Sequence, residues 1–175
     1  TVSSNVTVPG VVVLLGRGDG AFEPGQFYGQ DGTPVQAALG DFDGDGVLDV
    51  IVSDNFDGVR VLLGASDGPF GAAQSYTAGD ASGGLAVDDL NGDGALDVAV
   101  VNIGSNDVSV LLGAGDGTLG PASNISTGAG FGAVAIGDVD LDGVADLVIV
   151  GENSPDVLVR LGVGDGTFTA GTGVF

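Results

Sequence analysis

Asp41-Phe42-Asp43-Gly44-Asp45-Gly46-Val47-Leu48-Asp49 places acidic side chains at positions 1, 3, 5 and 9 of a nine-residue phrase, with glycine at position 6. The phrase returns as Asp89-Leu90-Asn91-Gly92-Asp93-Gly94-Ala95-Leu96-Asp97, and again as Asp138-Val139-Asp140-Leu141-Asp142-Gly143-Val144-Ala145-Asp146. Oxygen donors at alternate positions around a glycine turn form a cage suited to a hard divalent cation, which takes six to eight oxygens.

The three phrases start 48 and 49 residues apart. A second motif keeps the same period: Val13-Leu14-Leu15-Gly16, Val61-Leu62-Leu63-Gly64, Val110-Leu111-Leu112-Gly113 and Val159-Arg160-Leu161-Gly162. Each copy leads into an Asp-Gly pair and then Phe22, Phe70, Leu119 or Phe168, with Tyr28, Tyr76, Ile125 or Val174 six residues beyond. Two motifs sharing one period of this length indicate a repeat architecture.

Each unit reads as four short strands. The first is small and apolar (Gln36 to Gly40, Gly84 to Asp88, Ala133 to Gly137), and the acidic phrase connects it to a β-branched second strand. The third carries the Val-Leu-Leu motif, and an Asp-Gly hairpin turn leads to the fourth. No segment holds a helical period. The expected fold class is all-β, a propeller or propeller segment of four-stranded antiparallel blades. Residues 1–175 form one repeat domain, with a partial blade over 1–30 that lacks its first strand, and blades over 31–79, 80–128 and 129–175. The exposed edge of the partial blade invites self-association. A piece of a longer array, a face covered by another subunit and a compact four-bladed ring all fit this register.

Composition narrows the function. The formal charge is −21, from 24 acids against three arginines and no lysine. The three phrases hold four, three and four of those acids, and three divalent ions would still leave the chain strongly acidic. With only three arginines to displace phosphate counterions, no nucleic-acid partner is expected. No apolar run is long enough to span a bilayer as a helix. With no His, Cys or Lys, the usual bases, thiol nucleophiles and Schiff-base lysines are missing, so the expectation is a non-enzyme. Absence of Cys leaves the redox compartment unread.

The combination of D-x-[DN]-x-D-G-x-x-D-[VL] with V-L-L-G-x-x-D-G-x-F resembles the FG-GAP/VCBS repeat of integrin α-subunit propellers and many bacterial secreted proteins. Phe70-Gly71 keeps the Phe-Gly pair and Gly120-Pro121-Ala122 echoes the rest; the bacterial form is the nearer match. The resemblance covers essentially the whole chain. It implies Ca²⁺ at three sites, each in a strand one to strand two hairpin. The implied side-chain ligands are Asp41, Asp43, Asp45 and Asp49; Asp89, Asn91, Asp93 and Asp97; and Asp138, Asp140, Asp142 and Asp146. Val47, Ala95 and Val144 would add main-chain carbonyls. Asn91 removes one negative charge, so the second site is expected to be the weakest. Leu141 stands where the other phrases have Gly44 and Gly92, which questions the third turn.

An EF-hand shares the opening D-x-D-x-D-G but needs flanking helices and Glu at position 12, where this chain has Val52, Val100 and Ile149. Arg17-Gly18-Asp19 spells an adhesion tripeptide, although its Asp belongs to the repeated hairpin turn. Asn5 and Asn124 begin N-glycosylation triplets. Loops between strands two and three, with Asn55, Phe56, Asn102, Asn106 and Asn153, lie opposite the acidic phrases and form the expected ligand rim, where Phe131 is also expected to be exposed. The resulting expectation is an extracellular or cell-surface calcium-binding repeat protein, structural and adhesive, binding protein or carbohydrate. The alternatives are a non-catalytic module of a larger secreted polysaccharide-active enzyme and a subunit of a self-assembling surface polymer.

Overall fold

The computed structural model describes residues 9–29, 32–56, 58–66, 68, 70–80, 82–151 and 156–174. It contains fourteen strands and, among the described residues, no helix, which excludes the EF-hand reading. The first sheet pairs β1 (Gly10–Val13) with β2 (Gln26–Gly29). The second is β3 (Pro34–Gly40), β4 (Asp49–Asp54), β5 (Gly58–Leu62) and β6 (Gln74–Tyr76). The third is β7 (Ser82–Asp88), β8 (Asp97–Asn102), β9 (Asp107–Leu111) and β10 (Ser123–Ser126), and the fourth is β11 (Ala133–Gly137), β12 (Asp146–Val150), β13 (Leu158–Gly162) and β14 (Phe168–Val174). All pairing is antiparallel between sequence neighbours. Three four-stranded meanders of this kind are propeller-type blades. Each acidic phrase closes the first hairpin of its blade, with Gly40 paired to Asp49, Asp88 to Asp97 and Gly137 to Asp146.

Strand two is a near-continuous apolar run because both its faces are covered. Side chains alternate along a strand. Val50 and Val52 thus face the first sheet, in a cluster with Val11 and Tyr28, while Ile51 faces the third. One repeat later Val98 and Val100 meet the second sheet, and Ala99 and Val101 meet the fourth. Leu147 and Ile149 continue the series toward the third sheet. The core therefore consists of layers between successive sheets.

The inner strands approach closely. The Gly84 N–H donates to Gly132 O (2.9 Å), and a Cβ on Gly84 would stand 2.9 Å from the Ala133 Cα. On its other side, the Gln36 side chain mimics a strand: Nε2 donates to Leu85 O (3.1 Å) and Oε1 accepts from Leu85 N–H (3.2 Å). The small residues expected along strand one matter here as backbone-to-backbone clearance.

The template is broken at Arg60, which points into the protein from β5, where the third sheet has Ser109. Its Nη1 meets Asp54 Oδ2 at 3.1 Å, with both side chains almost wholly buried, and its Nε donates to Ser75 Oγ. Removing one partner of a buried pair strands the other charge, at a cost of about 3–5 kcal/mol. Arg60→Met is expected to lower unfolding stability by that order in a urea titration, and Asp54→Asn combined with it to recover part of the loss.

Candidate metal loops

Within each acidic phrase the backbone N–H groups turn inward onto the carboxylates. Asp41 Oδ1 accepts from Gly44 N–H (2.8 Å) and its Oδ2 from Gly46 N–H (2.9 Å). Asp43 Oδ1 accepts from Asp45 N–H, and Asp45 Oδ1 from Val47 N–H. The second and third loops repeat this network from Asp89 and Asp138. The turn needs a left-handed residue at position 4. Gly44 (φ 73°) and Gly92 (φ 77°) supply it, and Leu141 adopts the same conformation at φ 66°. The substitution leaves the third turn intact, at the strain a bulky side chain carries in that region.

Position 9 is different in kind. Asp49, Asp97 and Asp146 are the first residues of their strands and are buried. Asp49 Oδ2 accepts from Phe42 N–H (2.7 Å) and Oδ1 from Gly64 N–H (2.7 Å). Asp97 takes Leu90 and Gly113 in the same way, at 2.9 and 2.7 Å. Asp146 takes Val139 and Gly162, at 2.9 and 2.8 Å. One carboxylate thus clamps the acidic loop to the glycine that ends the Val-Leu-Leu motif. This explains why two phrases far apart in sequence keep a common period. That glycine is required by contact: a Cβ on Gly64 would lie 2.5 Å from Leu48 O, and Cβ atoms on Gly113 and Gly162 would collide with the carbonyls of Leu96 and Ala145.

In the first loop, one oxygen from each of Asp41, Asp43 and Asp49 lies within 4.8 Å of the others. In the third, the same holds for Asp138, Asp140 and Asp142, with position 5 in place of position 9. No such triple of carboxylates forms in the second loop among the described residues. There Asn91 Nδ2 donates to Asp93 Oδ2 (2.9 Å), an internal bond that uses an oxygen a cation would need. Oxygen-only donor sets of this kind suit a hard cation of the calcium or magnesium class.

Crowding shows in the protonation equilibria. Desolvation raises the Asp43 carboxyl above its ordinary value, helped by the charges of Asp45, Asp49 and Asp41 and opposed by the Asp45 N–H. Desolvation raises Asp140 as well, together with Asp142, Asp146 and Asp138. Burial raises Asp97 against its two N–H bonds. For Asp89 desolvation is outweighed by the N–H groups of Gly94, Gly92, Asn91 and Asp93, which hold the carboxyl low.

At the opposite ends of the strands, Asn55, Phe56 and Asn106 are exposed as expected of a rim. Asn102 is not. It is buried, its Nδ2 donates to Asp107 Oδ1 (2.7 Å) and Ser109 Oγ (2.8 Å), and its Oδ1 accepts from Ser82 Oγ. Asn102 thus closes the β8–β9 hairpin from inside. Phe131 is also buried, packed with Leu90 and Leu147, because the glycines around it let the chain fold its ring under the third sheet. Asn153 and Asn5 lie outside the described residues. Asn124 is exposed on β10, its Oδ1 accepting from Ser109 Oγ. In the Arg17-Gly18-Asp19 tripeptide, Arg17 pairs with Glu23 at 2.8 Å and Asp19 caps Ala21 N–H.

Two outcomes follow from this geometry. Gly113→Ala should destabilise the fold by about 1–3 kcal/mol through the clash with Leu96 O. Gly16→Ala, at the matching place in a unit where nothing lies within 4 Å of the new Cβ, should stay within about 0.5 kcal/mol; paired chemical melts check this. In metal-free protein the raised carboxyls keep protons that the unfolded chain has lost above about pH 4. Their contribution therefore falls as pH rises through the folded values, whereas Asp89 acts in the opposite sense. Melting temperature in chelator should rise as pH falls from neutral toward the ordinary carboxylate range, and Asp43→Asn should flatten that rise.

The family model of the FG-GAP-like repeat matches residues 3–52, 41–100 and 89–149. No curated protein sequence matches the chain. Among solved structures, a chain of a mutant Photorhabdus luminescens Tc holotoxin pore is similar, at 18% identity and a TM-score of 0.48. The similarity covers 97% of this chain and 9% of that one, so the present chain spans a small part of that polypeptide's length. With overlapping matches running through most of its length, this chain belongs to the FG-GAP-like repeat family.

Proposed function

We propose that the chain is a calcium-held structural repeat module that works outside the cell, with an adhesive surface on the rim away from the metal loops. The observation that carries this reading is the convergence of carboxylate oxygens in the first and third loops, within 4.8 Å of one another. Ligands would come from Asp41, Asp43, Asp45, Asp49 and the Val47 carbonyl in the first loop, and from their counterparts in the other two. Desolvation raises Asp43 and Asp140, and a calcium ion would neutralise the repulsion from neighbouring carboxylates that adds to it. Calcium is favoured over magnesium because a nine-residue loop with carbonyl and carboxylate donors suits a larger, irregular shell better than a strict octahedron. Extracellular modules bind calcium at about 10⁻⁴–10⁻³ M, a level that keeps such sites filled only outside the cell.

A structural role suits the position of the loops, each closing the first hairpin of a blade. Adhesion is assigned to Asn55, Phe56 and Asn106, which are exposed at the far ends of the strands and take no part in the metal loops. Protein or carbohydrate partners fit an aromatic flanked by amides. No catalytic role is proposed for a chain without His, Cys or Lys.

Calorimetric titration should find three calcium ions per chain, with the second loop weakest because Asn91 has replaced a carboxylate. Saturation a hundredfold above the dissociation constant contributes about 2.7 kcal/mol per site, or about 8 °C in melting temperature. An unchanged melting temperature after chelation would overturn the calcium reading.

A further inference from the structure

The second acidic loop departs from its sisters at position 3, where the Asn91 amide replaces the carboxylates of Asp43 and Asp140. The backbone around it does not depart. Asn91 Oδ1 accepts from Asp93 N–H (2.9 Å), as Asp43 Oδ1 accepts from Asp45 N–H and Asp140 Oδ1 from Asp142 N–H (3.2 Å each). The following residue is left-handed in all three loops: Gly44 at φ 73°, Gly92 at 77° and Leu141 at 66°. A carboxylate at position 91 would thus enter a turn already shaped for one.

Of the seven asparagines in the chain, Asn91 alone precedes a glycine. An asparagine amide is lost when the main-chain nitrogen of the next residue attacks its Cγ and closes a cyclic imide. A side chain on that next residue obstructs the attack, and one follows each of the other six asparagines. Gly92 offers no such obstacle. It is exposed, and nothing lies within 4 Å of the place a Cβ would take, so both the ring and the water that later opens it have room.

The loop also supplies the groups that this reaction uses. Asp89 Oδ1 accepts from Gly92 N–H (2.8 Å), which puts a carboxylate where the attacking nitrogen sheds its proton. The Asp93 N–H on Asn91 Oδ1 faces the oxygen that turns negative as Cγ becomes tetrahedral, the position of an oxyanion donor. Asn91 Nδ2, the leaving nitrogen, donates to Asp93 Oδ2 (2.9 Å), beside a carboxyl group able to pass it a proton.

We propose that Asn91-Gly92 is a self-deamidating step through which the second loop acquires the carboxylate its sisters carry. The bond from Gly92 N to Asn91 Cγ forms and the Cγ–Nδ2 bond breaks. The proton from Gly92 N, relayed by carboxylate or water, departs with Nδ2 as ammonia. Water then opens the imide. Addition at Cγ gives aspartate at position 91. Addition at the main-chain carbonyl carbon gives isoaspartate, whose main chain runs through Cβ and no longer matches the turn. In the aspartate form the Nδ2 bond is gone, so Asp93 Oδ2 is released to the cage together with the new carboxylate. The covalent step stands on the loop alone; the stronger second site that results rests on the calcium reading.

The test is peptide mapping by mass spectrometry of the 175-residue chain, aged in warm, mildly alkaline chelator buffer beside a free peptide of residues 88–97. The amide-to-acid mass change should accumulate at Asn91 ahead of every other asparagine, and no more slowly than in the peptide. Asn91→Gln, whose longer side chain closes the ring poorly, should abolish it. Converted protein should then bind calcium at the second loop about tenfold more tightly than unconverted protein, matching Asn91→Asp. An Asn91 that stays intact while the peptide converts would overturn the proposal. So would a product that is isoaspartate alone, or a second-loop affinity that conversion leaves unchanged while the first and third loops bind. A chain that converts at Asn91 yet binds calcium in no loop would refute the calcium reading and leave the covalent step confirmed.

Discussion

A buried carboxylate with both oxygens bonded to backbone N–H groups organises each repeat. Asp49, Asp97 and Asp146 would be costly to bury unpaired, since an ionised carboxylate away from water needs compensating donors. Each finds one donor at position 2 of its own loop and one at the glycine ending the Val-Leu-Leu motif. Hydrogen bonds to a charged acceptor contribute about 1.5–3 kcal/mol apiece. The same two bonds satisfy backbone groups that would otherwise be orphaned inside the blade. Fixing the position 2 backbone also aims its side chain at the next sheet. One residue thereby couples the loop, the hairpin beyond it and the contact between blades.

From that clamp the chain is assembled by repetition. Alternate side chains of each second strand belong to different layers, so Val98 and Val100 stabilise one contact while Ala99 and Val101 stabilise the next. Stability in such an array is a sum of unit and neighbour terms, with the outermost faces behaving unlike the inner ones. Within these 175 residues Val12, Phe22 and Phe27 of the first unit and Val139 and Leu141 of the last are exposed. The acidic loops line one end of the sheets. Desolvation, with like charges beside it, raises the carboxyls of Asp43 and Asp140 there.

Departures from the template are where local sequence was a poor guide. Asn102 has the type of a surface turn residue, yet it is a buried hinge pin because Ser82, Asp107 and Ser109 surround its amide. Phe131 departs from the repeat and looked like a rim residue; three-dimensional packing draws it under Leu90. Arg60 interrupts a β-branched strand, and only the position of Asp54 across the hairpin makes a charge tolerable there. In each case the partner lies on a neighbouring strand or sheet, and its proximity has no local signature.

The repeat period, the all-β character, the four strands of each blade and the location of the oxygen-rich loops are legible in the order of residues alone. These follow from local rules: alternation of apolar residues, turn chemistry at Asp-Gly, and carboxylates spaced around a glycine. The same order singles out Leu141 and Asn91 as departures within the loops. That position 9 is a clamp as well as a candidate ligand emerges only in the folded chain, since the Gly64 N–H comes fifteen residues after Asp49 in sequence and 2.7 Å from its Oδ1 in space. Tertiary structure also decided which half of each apolar run faces which neighbour. Those outcomes depend on how sheets stack, and stacking is set by contacts between residues about one full repeat apart.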